Sequence, residues 1–100
     1  MLFANYIQYI DDQDAIAAIR PTHREYLKGL LDHGQLAAAG PFRDGSGALF
    51  VYQTATLESA QDLAAADPYT LGGVIREQTI HPWHLVYSRA EYLDQPPAGT

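Results

Sequence analysis

His23, in Arg20-Pro21-Thr22-His23, and Asp67, in Asp67-Pro68-Tyr69, are the residues of this chain whose types and placement suit proton-transfer chemistry. Each falls on the apolar stripe of a predicted helix, where a titratable side chain is costly without a partner. An imidazole held by a carboxylate is an acid/base unit that operates near neutral pH. The carboxylate orients the ring and stabilises its cationic form, while the second ring nitrogen exchanges a proton with a ligand. Each residue alone also has an ordinary reading. A histidine on a helical stripe is commonly a hydrogen-bonded core residue, and Asp before Pro commonly marks a turn or a helix end. The chemistry therefore depends on whether the fold joins them.

Leu2 to Ile10 is rich in aromatic and β-branched residues and ends at Asp11-Asp12, the pattern of a strand followed by a helix start. Its alternate faces, Leu2/Ala4/Tyr6/Ile10 and Phe3/Ile7/Tyr9, are both apolar, which predicts that both are covered. Asp12 to His33 has a helical pattern interrupted by Pro21, so a short helix, a break or kink, and a second helical segment are expected. Tyr26, Leu27, Leu30 and Leu31 form its stripe, His23 lies one turn earlier, and Gly34 is the stop. Leu36–Phe42 and Ala48–Thr54 read as strands joined by the hairpin signal Arg43-Asp44-Gly45-Ser46-Gly47. Thr56 caps a second helix with the stripe Leu57, Ala60, Leu63 and Ala64, which Asp67 extends and Pro68 ends. A last strand is expected from about Gln78 to Tyr87, and Pro82 makes it an edge strand.

The order strand–helix–strand–strand–helix–strand specifies an α+β, ferredoxin-like βαββαβ subunit. Its four-stranded antiparallel sheet carries helices on one face, with the first strand central and the last at an edge. The other apolar face then needs a cover, and a second copy of the chain is the economical one. A homodimer is expected, with any higher assembly left open. The same topology brings His23, near the start of the first helical region, and Asp67, at the end of the second, to one end of the molecule. Gly40-Pro41-Phe42 and the segment from Gly72 to Arg76 are expected to converge there. A carboxylate at a helix C-terminus opposes the macrodipole at a cost of about 0.3–1 kcal/mol, which an imidazolium would offset. Arg20 or Arg76 would supply charge for an anionic ligand, and Tyr26 and Tyr69 are near enough to hydrogen-bond or pack against one.

Composition narrows the function classes. The chain has 100 residues, 47% hydrophobic and 18% charged, enough for one globular domain with a modest core. Asp and Glu number 12 against 6 Lys and Arg, so the basic footprint of a nucleic-acid or anionic-membrane binder is missing. There is no cysteine, which excludes disulfides, thiolate metal sites and cysteine nucleophiles and fits a cytoplasmic setting. No signal peptide or membrane span is expected. His81 and His84 are three apart on a predicted strand and should face opposite ways, so no metal site is expected there. His33 beside Gly34 suits a helix end, Trp83 suits packing, and Ser46 lacks a nucleophile-elbow context.

Arg20-Pro21-Thr22-His23-Arg24-Glu25-Tyr26-Leu27, Gly34, Ala39-Gly40-Pro41, Gly47 and Ala66-Asp67-Pro68-Tyr69 resemble, in order and spacing, the YciI-like (YCII-related) family. The likeness covers about residues 1–88. It implies a ferredoxin-like subunit of a dimeric α+β barrel and an active site built on a His–Asp pair matching His23 and Asp67. A characterised branch dehydrochlorinates a chlorinated hydroxyquinol, without metal or organic cofactor, and many members have no known substrate. Gly40 and Pro41 match the family's Gly-Pro motif.

These readings together predict a domain over residues 1–90 and a mobile tail over 91–100. They predict a cofactor-independent enzyme in which His23 and Asp67 carry out elimination or isomerisation on a small cyclic or aromatic metabolite. Arg20, Gly40, Pro41 and Tyr69 would contact that ligand. The alternative is a dimer that binds a small ligand without turning it over.

Overall fold

The structure, a computed structural model, describes residues 1–94. Strand β1 (Leu2–Tyr9) buries Phe3, Asn5, Ile7 and Tyr9, while Leu2, Ala4, Tyr6 and Gln8 alternate with them on a more open face. Helix α1 (Gln13–Asp32) begins where the Asp12 carboxylate accepts from the Ala15 N–H at 3.0 Å. It ends at His33, whose Nδ1–H donates to the Gly29 carbonyl at 2.7 Å, and Gly34 follows with φ +75°. Pro21 lies inside α1, and the expected break does not occur. Proline removes one hydrogen bond, but both Pro21 and Ala17, whose carbonyl loses its partner, are on the exposed side. Water can satisfy that carbonyl, and the buried residues Ile16, His23 and Leu30 hold both halves against the core.

Strands β2 (Leu36–Pro41) and β3 (Gly47–Gln53) form the hairpin the glycines foretold. Gly45 turns with φ +76°, and the Asp44 carboxylate accepts from the Ser46 N–H and hydroxyl at 2.9 and 2.6 Å. Gly47 is required for another reason: a Cβ there would run into the Ile7 carbonyl oxygen of β1. Helix α2 (Leu57–Ala66) is capped by Thr56, whose hydroxyl accepts from the Ser59 N–H at 3.1 Å. Ala60 and Ala64 of its stripe are buried, whereas Leu57, at the first turn, is exposed.

A single-turn helix α3 (Pro68–Leu71), absent from the sequence reading, leads into β4 (Ile75–Trp83). That strand begins and ends earlier than expected because it pairs along β1, from Tyr9↔Ile75 to Leu2↔Trp83, and β1 offers no partner beyond. A short turn, α4 (Ala90–Leu93), follows. Of the tail expected to be mobile, residues 95–100 lie outside the described residues.

The sheet order is β2-β3-β1-β4, antiparallel throughout, so β1 is central and proline-bearing β4 is an edge. This is the α+β, ferredoxin-like arrangement that the element order specifies. Helix α1 packs toward the β2 side, and α2 over β1 and β4. The two are tied where the Tyr26 hydroxyl donates to the Leu63 carbonyl at 2.7 Å. The core is not wholly apolar, because Asn5 sits in it at 1% exposure. Its amide donates to Gln78 Oε1 at 2.9 Å and to the Tyr52 hydroxyl at 3.3 Å, linking β1 to both its neighbours. The opposite face presents Tyr6 and Leu49, 40% and 37% exposed, around the Ala4↔Val51 pair.

Two buried phenols make stability depend on alkaline pH. Burial pushes Tyr52 far above its ordinary value of 10.0, and burial, then the neighbouring Tyr69, push Tyr9 up to about 12. Above pH 10 the unfolded chain ionises these groups while the folded chain keeps their protons. The folded state then binds more protons, and stability falls as pH rises. Urea midpoints should therefore decline above pH 10, and Tyr52→Phe should flatten the decline. An equally steep loss in Tyr52→Phe would contradict this origin.

Candidate active site

The site begins with the dipeptide Asp67-Pro68. Proline disfavours helical geometry in the residue before it, and Asp67 accordingly takes φ −62°, ψ 132°, ending α2. Pro68 then occupies the first turn of α3, where its missing N–H costs nothing. Asp67 is thus the C-cap of one helix and the N-cap of the next, and its Oδ1 accepts from the Tyr69 N–H at 2.8 Å. This corrects the expectation of a carboxylate stranded at the negative pole of α2, since the side chain serves the start of α3 instead.

His23 lies midway along α1, not near its start, because the two expected helical segments are one. It is 5% exposed, and its Nδ1 is 2.7 Å from Asp67 Oδ1. The imidazole lies flat on the Tyr69 ring, with centroids 3.7 Å apart and planes 12° apart, and Phe50 packs at 5.3 Å. One short segment therefore supplies both the carboxylate and the aromatic plate that fix the ring. An ionised carboxylate oxygen only accepts, so Nδ1–H donates and the neutral ring keeps its lone pair on Nε2. Among the described residues Nε2 has no protein partner, and His23 borders a cavity. Asp67 Oδ2, by contrast, is buried without a hydrogen-bond partner.

The cavity, about 160 Å³, lies between α1 and the β2–β3 edge of the sheet. Leu27, Ala39, Gly40, Pro41, Ala48 and Phe50 form its apolar wall. Tyr9, Arg20, His23, Arg24 and Tyr69 supply the polar one, where Arg20 Nε donates to the Tyr69 hydroxyl at 3.4 Å. A cavity near this volume accommodates a molecule the size of benzene.

Of the residues singled out in the sequence, His23, Arg20, Gly40, Pro41 and Tyr69 line this one cavity, and Asp67 stands behind His23. Others do not join them. Arg76 donates to Asp11 at 3.0 Å beside a different cleft, Tyr26 is spent on the Leu63 carbonyl, and neither Phe42 nor the segment from Gly72 to Arg76 lines the cavity. His81 lies within β4 opposite Ala4, and His84 follows its end; no cluster of three potential metal ligands occurs among the described residues. Tyr9, Arg24, Leu27 and Phe50 escaped the sequence reading. Helical spacing could have found Arg24 and Leu27, one turn beyond Arg20 and His23. Strand alternation could have found Phe50, but only once β3 was known to run beneath α1.

The double duty of Asp67 sets a stability prediction. Asp67→Ala removes the α3 cap and strands a buried imidazole N–H, and should cost about 2–4 kcal/mol. Asp67→Asn retains an acceptor oxygen and should cost much less. Urea unfolding of both variants checks the order; equal losses would mean that the carboxamide oxygen replaces neither bond.

Comparison with known proteins agrees with this architecture. Residues 1–84 match the YCII-related domain. The protein YciI of Escherichia coli O6:H1 is 34% identical over 98 residues, covering 87% of this chain and 100% of that protein. The uncharacterized protein YjpA of Bacillus subtilis strain 168 is 36% identical over 63 residues, 63% of this chain and 73% of its own. Among solved structures, the 5-chloro-2-hydroxyhydroquinone dehydrochlorinase of Burkholderia phenoliruptrix AC1100, in complex with 2,5-dihydroxybenzoquinone, superposes with a TM-score of 0.75. The match covers 84% of this chain and 94% of that one at 18% identity, which speaks for a common fold. With its family match over residues 1–84 and its 34% identity to YciI, the chain belongs to the YCII-related domain family.

Proposed function

We propose that this protein is a cofactor-independent acid/base enzyme acting on a small cyclic or aromatic metabolite, with His23 and Asp67 as its catalytic pair. The observation that carries the reading is the 2.7 Å Nδ1–Oδ1 bond, which fixes the imidazole and leaves Nε2 for the cavity. Nε2 removes a proton from a ring carbon of the substrate. In an elimination the C–H electron pair forms the new double bond, and the leaving group departs with its own bonding pair. In an isomerisation the imidazolium returns the proton at another atom. Asp67 stabilises the imidazolium in either case and takes no proton itself. Arg20, Gly40, Pro41 and Tyr69 contact the ligand, and Phe50 supplies an apolar wall against which a flat ring packs. The structurally similar dehydrochlorinase, which holds a dihydroxybenzoquinone, supports a single-ring substrate and an elimination.

The working form is a homodimer in which two open sheet faces meet around Tyr6 and Leu49. The exposure of the apolar Tyr6 and Leu49 on that face supports this pairing. The protein should sediment as a dimer at micromolar concentration, and Leu49→Arg should shift it to monomer. A monomeric wild type would overturn the assembly.

The activity is tested by a mass-spectrometric screen of phenolic and cyclic metabolites on the wild type beside His23→Ala and Asp67→Asn. Product should form with the wild type, and His23→Ala should lose about 10²–10⁴-fold in turnover. A folded His23→Ala protein with full turnover would refute the assignment. A ligand recovered unchanged after long incubation would favour the binding dimer over the enzyme.

A further inference from the structure

The charge of the cavity is at odds with the charge of the protein. The chain carries a formal net charge of −6, with twice as many carboxylates as Lys and Arg side chains. Lys28, Arg76 and Arg89 each pair with a carboxylate, on Asp32, Asp11 and Glu91. Arg20, Arg24 and Arg43 have no acidic partner within salt-bridge distance among the described residues. Of these three, Arg20 and Arg24 line the cavity, and no carboxylate lines it with them.

The two arginines are four residues apart on α1, so they are neighbours on one helix face, where like charges repel. The carboxylate of the site, Asp67, is bonded to His23 and to the Tyr69 N–H and forms no salt bridge with either arginine. Guanidinium groups favour oxyanions because their planar donors bind carboxylate-like groups in pairs. The phenols at the same wall strengthen the pattern. Arg20 Nε donates to the Tyr69 hydroxyl, which orients that hydroxyl's own proton away from the guanidinium. Tyr9, held up at about 12, keeps its proton and remains a neutral donor.

We propose that Arg20 and Arg24 form an anion-recognition subsite, so that the ligand of this cavity is a single-ring organic anion bearing a carboxylate or another ionised ring oxygen. The assignment rests on the cavity being the ligand site proposed above and adds the charge that the ligand must carry. Arg24 is a specificity-determining residue in this arrangement. The anionic group faces the two arginines, and the ring lies along the apolar wall formed by Phe50 and Pro41.

The test uses benzoate and its neutral isostere benzamide, titrated against the intact protein by calorimetry or protein-observed NMR. Wild type should bind benzoate at least tenfold more tightly than benzamide, with shifts at Arg20, Arg24 and Tyr69. Arg20→Gln/Arg24→Gln should abolish the preference, and Arg76→Gln, at a different cleft, should keep it. Equal affinity for both probes in the wild type, no benzoate binding, or a preference that survives in the double variant would overturn the proposal. His23→Ala separates this proposal from the catalytic one. If turnover survives in His23→Ala, the acid/base assignment fails while a benzoate preference still upholds the arginine subsite. If the preference is missing but turnover needs His23, the reverse holds.

Discussion

A buried carboxylate must be compensated, and the cavity end of this fold is organised around that requirement at Asp67. The residue is 1% exposed, yet one of its oxygens takes both the Tyr69 N–H and the His23 Nδ1–H. Those two bonds join the end of α2, the start of α3 and the middle of α1 at one atom. The stacking of His23 on Tyr69 closes the unit, since the residue whose N–H caps to Asp67 also carries the ring beneath the imidazole. Without the carboxylate the imidazole would be a buried donor with nothing to receive its proton.

That unit has chemical meaning because of the sheet below it. Helix α1 lies toward the β2–β3 edge, where Ala39, Pro41 and Ala48 are too small to fill the gap under Arg20, His23 and Arg24. A cavity opens there, and the nitrogen opposite the one held by Asp67 is available to it. Small side chains on two strands and a fixed histidine on a helix together form a ligand-sized site on a 100-residue chain. The Asn5–Gln78 and Asn5–Tyr52 hydrogen bonds keep β1 in register with both neighbours at the other side of the same layer.

Much of this was legible in local sequence. The aromatic and β-branched run of β1, the glycines of the β2–β3 hairpin, and the Asp12 and Thr56 caps act within a few residues, and the structure forms the strand, turn and helix starts they specify. The failures have a common cause. Pro21 was expected to break α1, but whether a proline breaks a helix depends on which side faces water and what holds the flanking turns. Asn5 drew no notice in the sequence, and only the pairing of β1 with both β3 and β4 shows that Tyr52 and Gln78 are there to receive its amide. The α3 turn was encoded in Asp67-Pro68-Tyr69, a capping residue followed by proline at the first helical position, but its purpose is visible only beside His23.

The sequence by itself determined the element order, and with it the sheet order and the end of the molecule to which His23 and Asp67 belong. Those follow from short-range periodicity, caps and turns, together with the few ways of connecting such elements without crossings. Tertiary structure alone decided that the two side chains meet at 2.7 Å, that Arg24 joins Arg20 at the cavity, and that Arg76 goes elsewhere. A hydrogen bond between residues 44 positions apart depends on rigid-body packing of helices to within a fraction of an ångström. No local pattern carries that information. It resides in how the side chains of α1, α3 and the sheet fill their shared space.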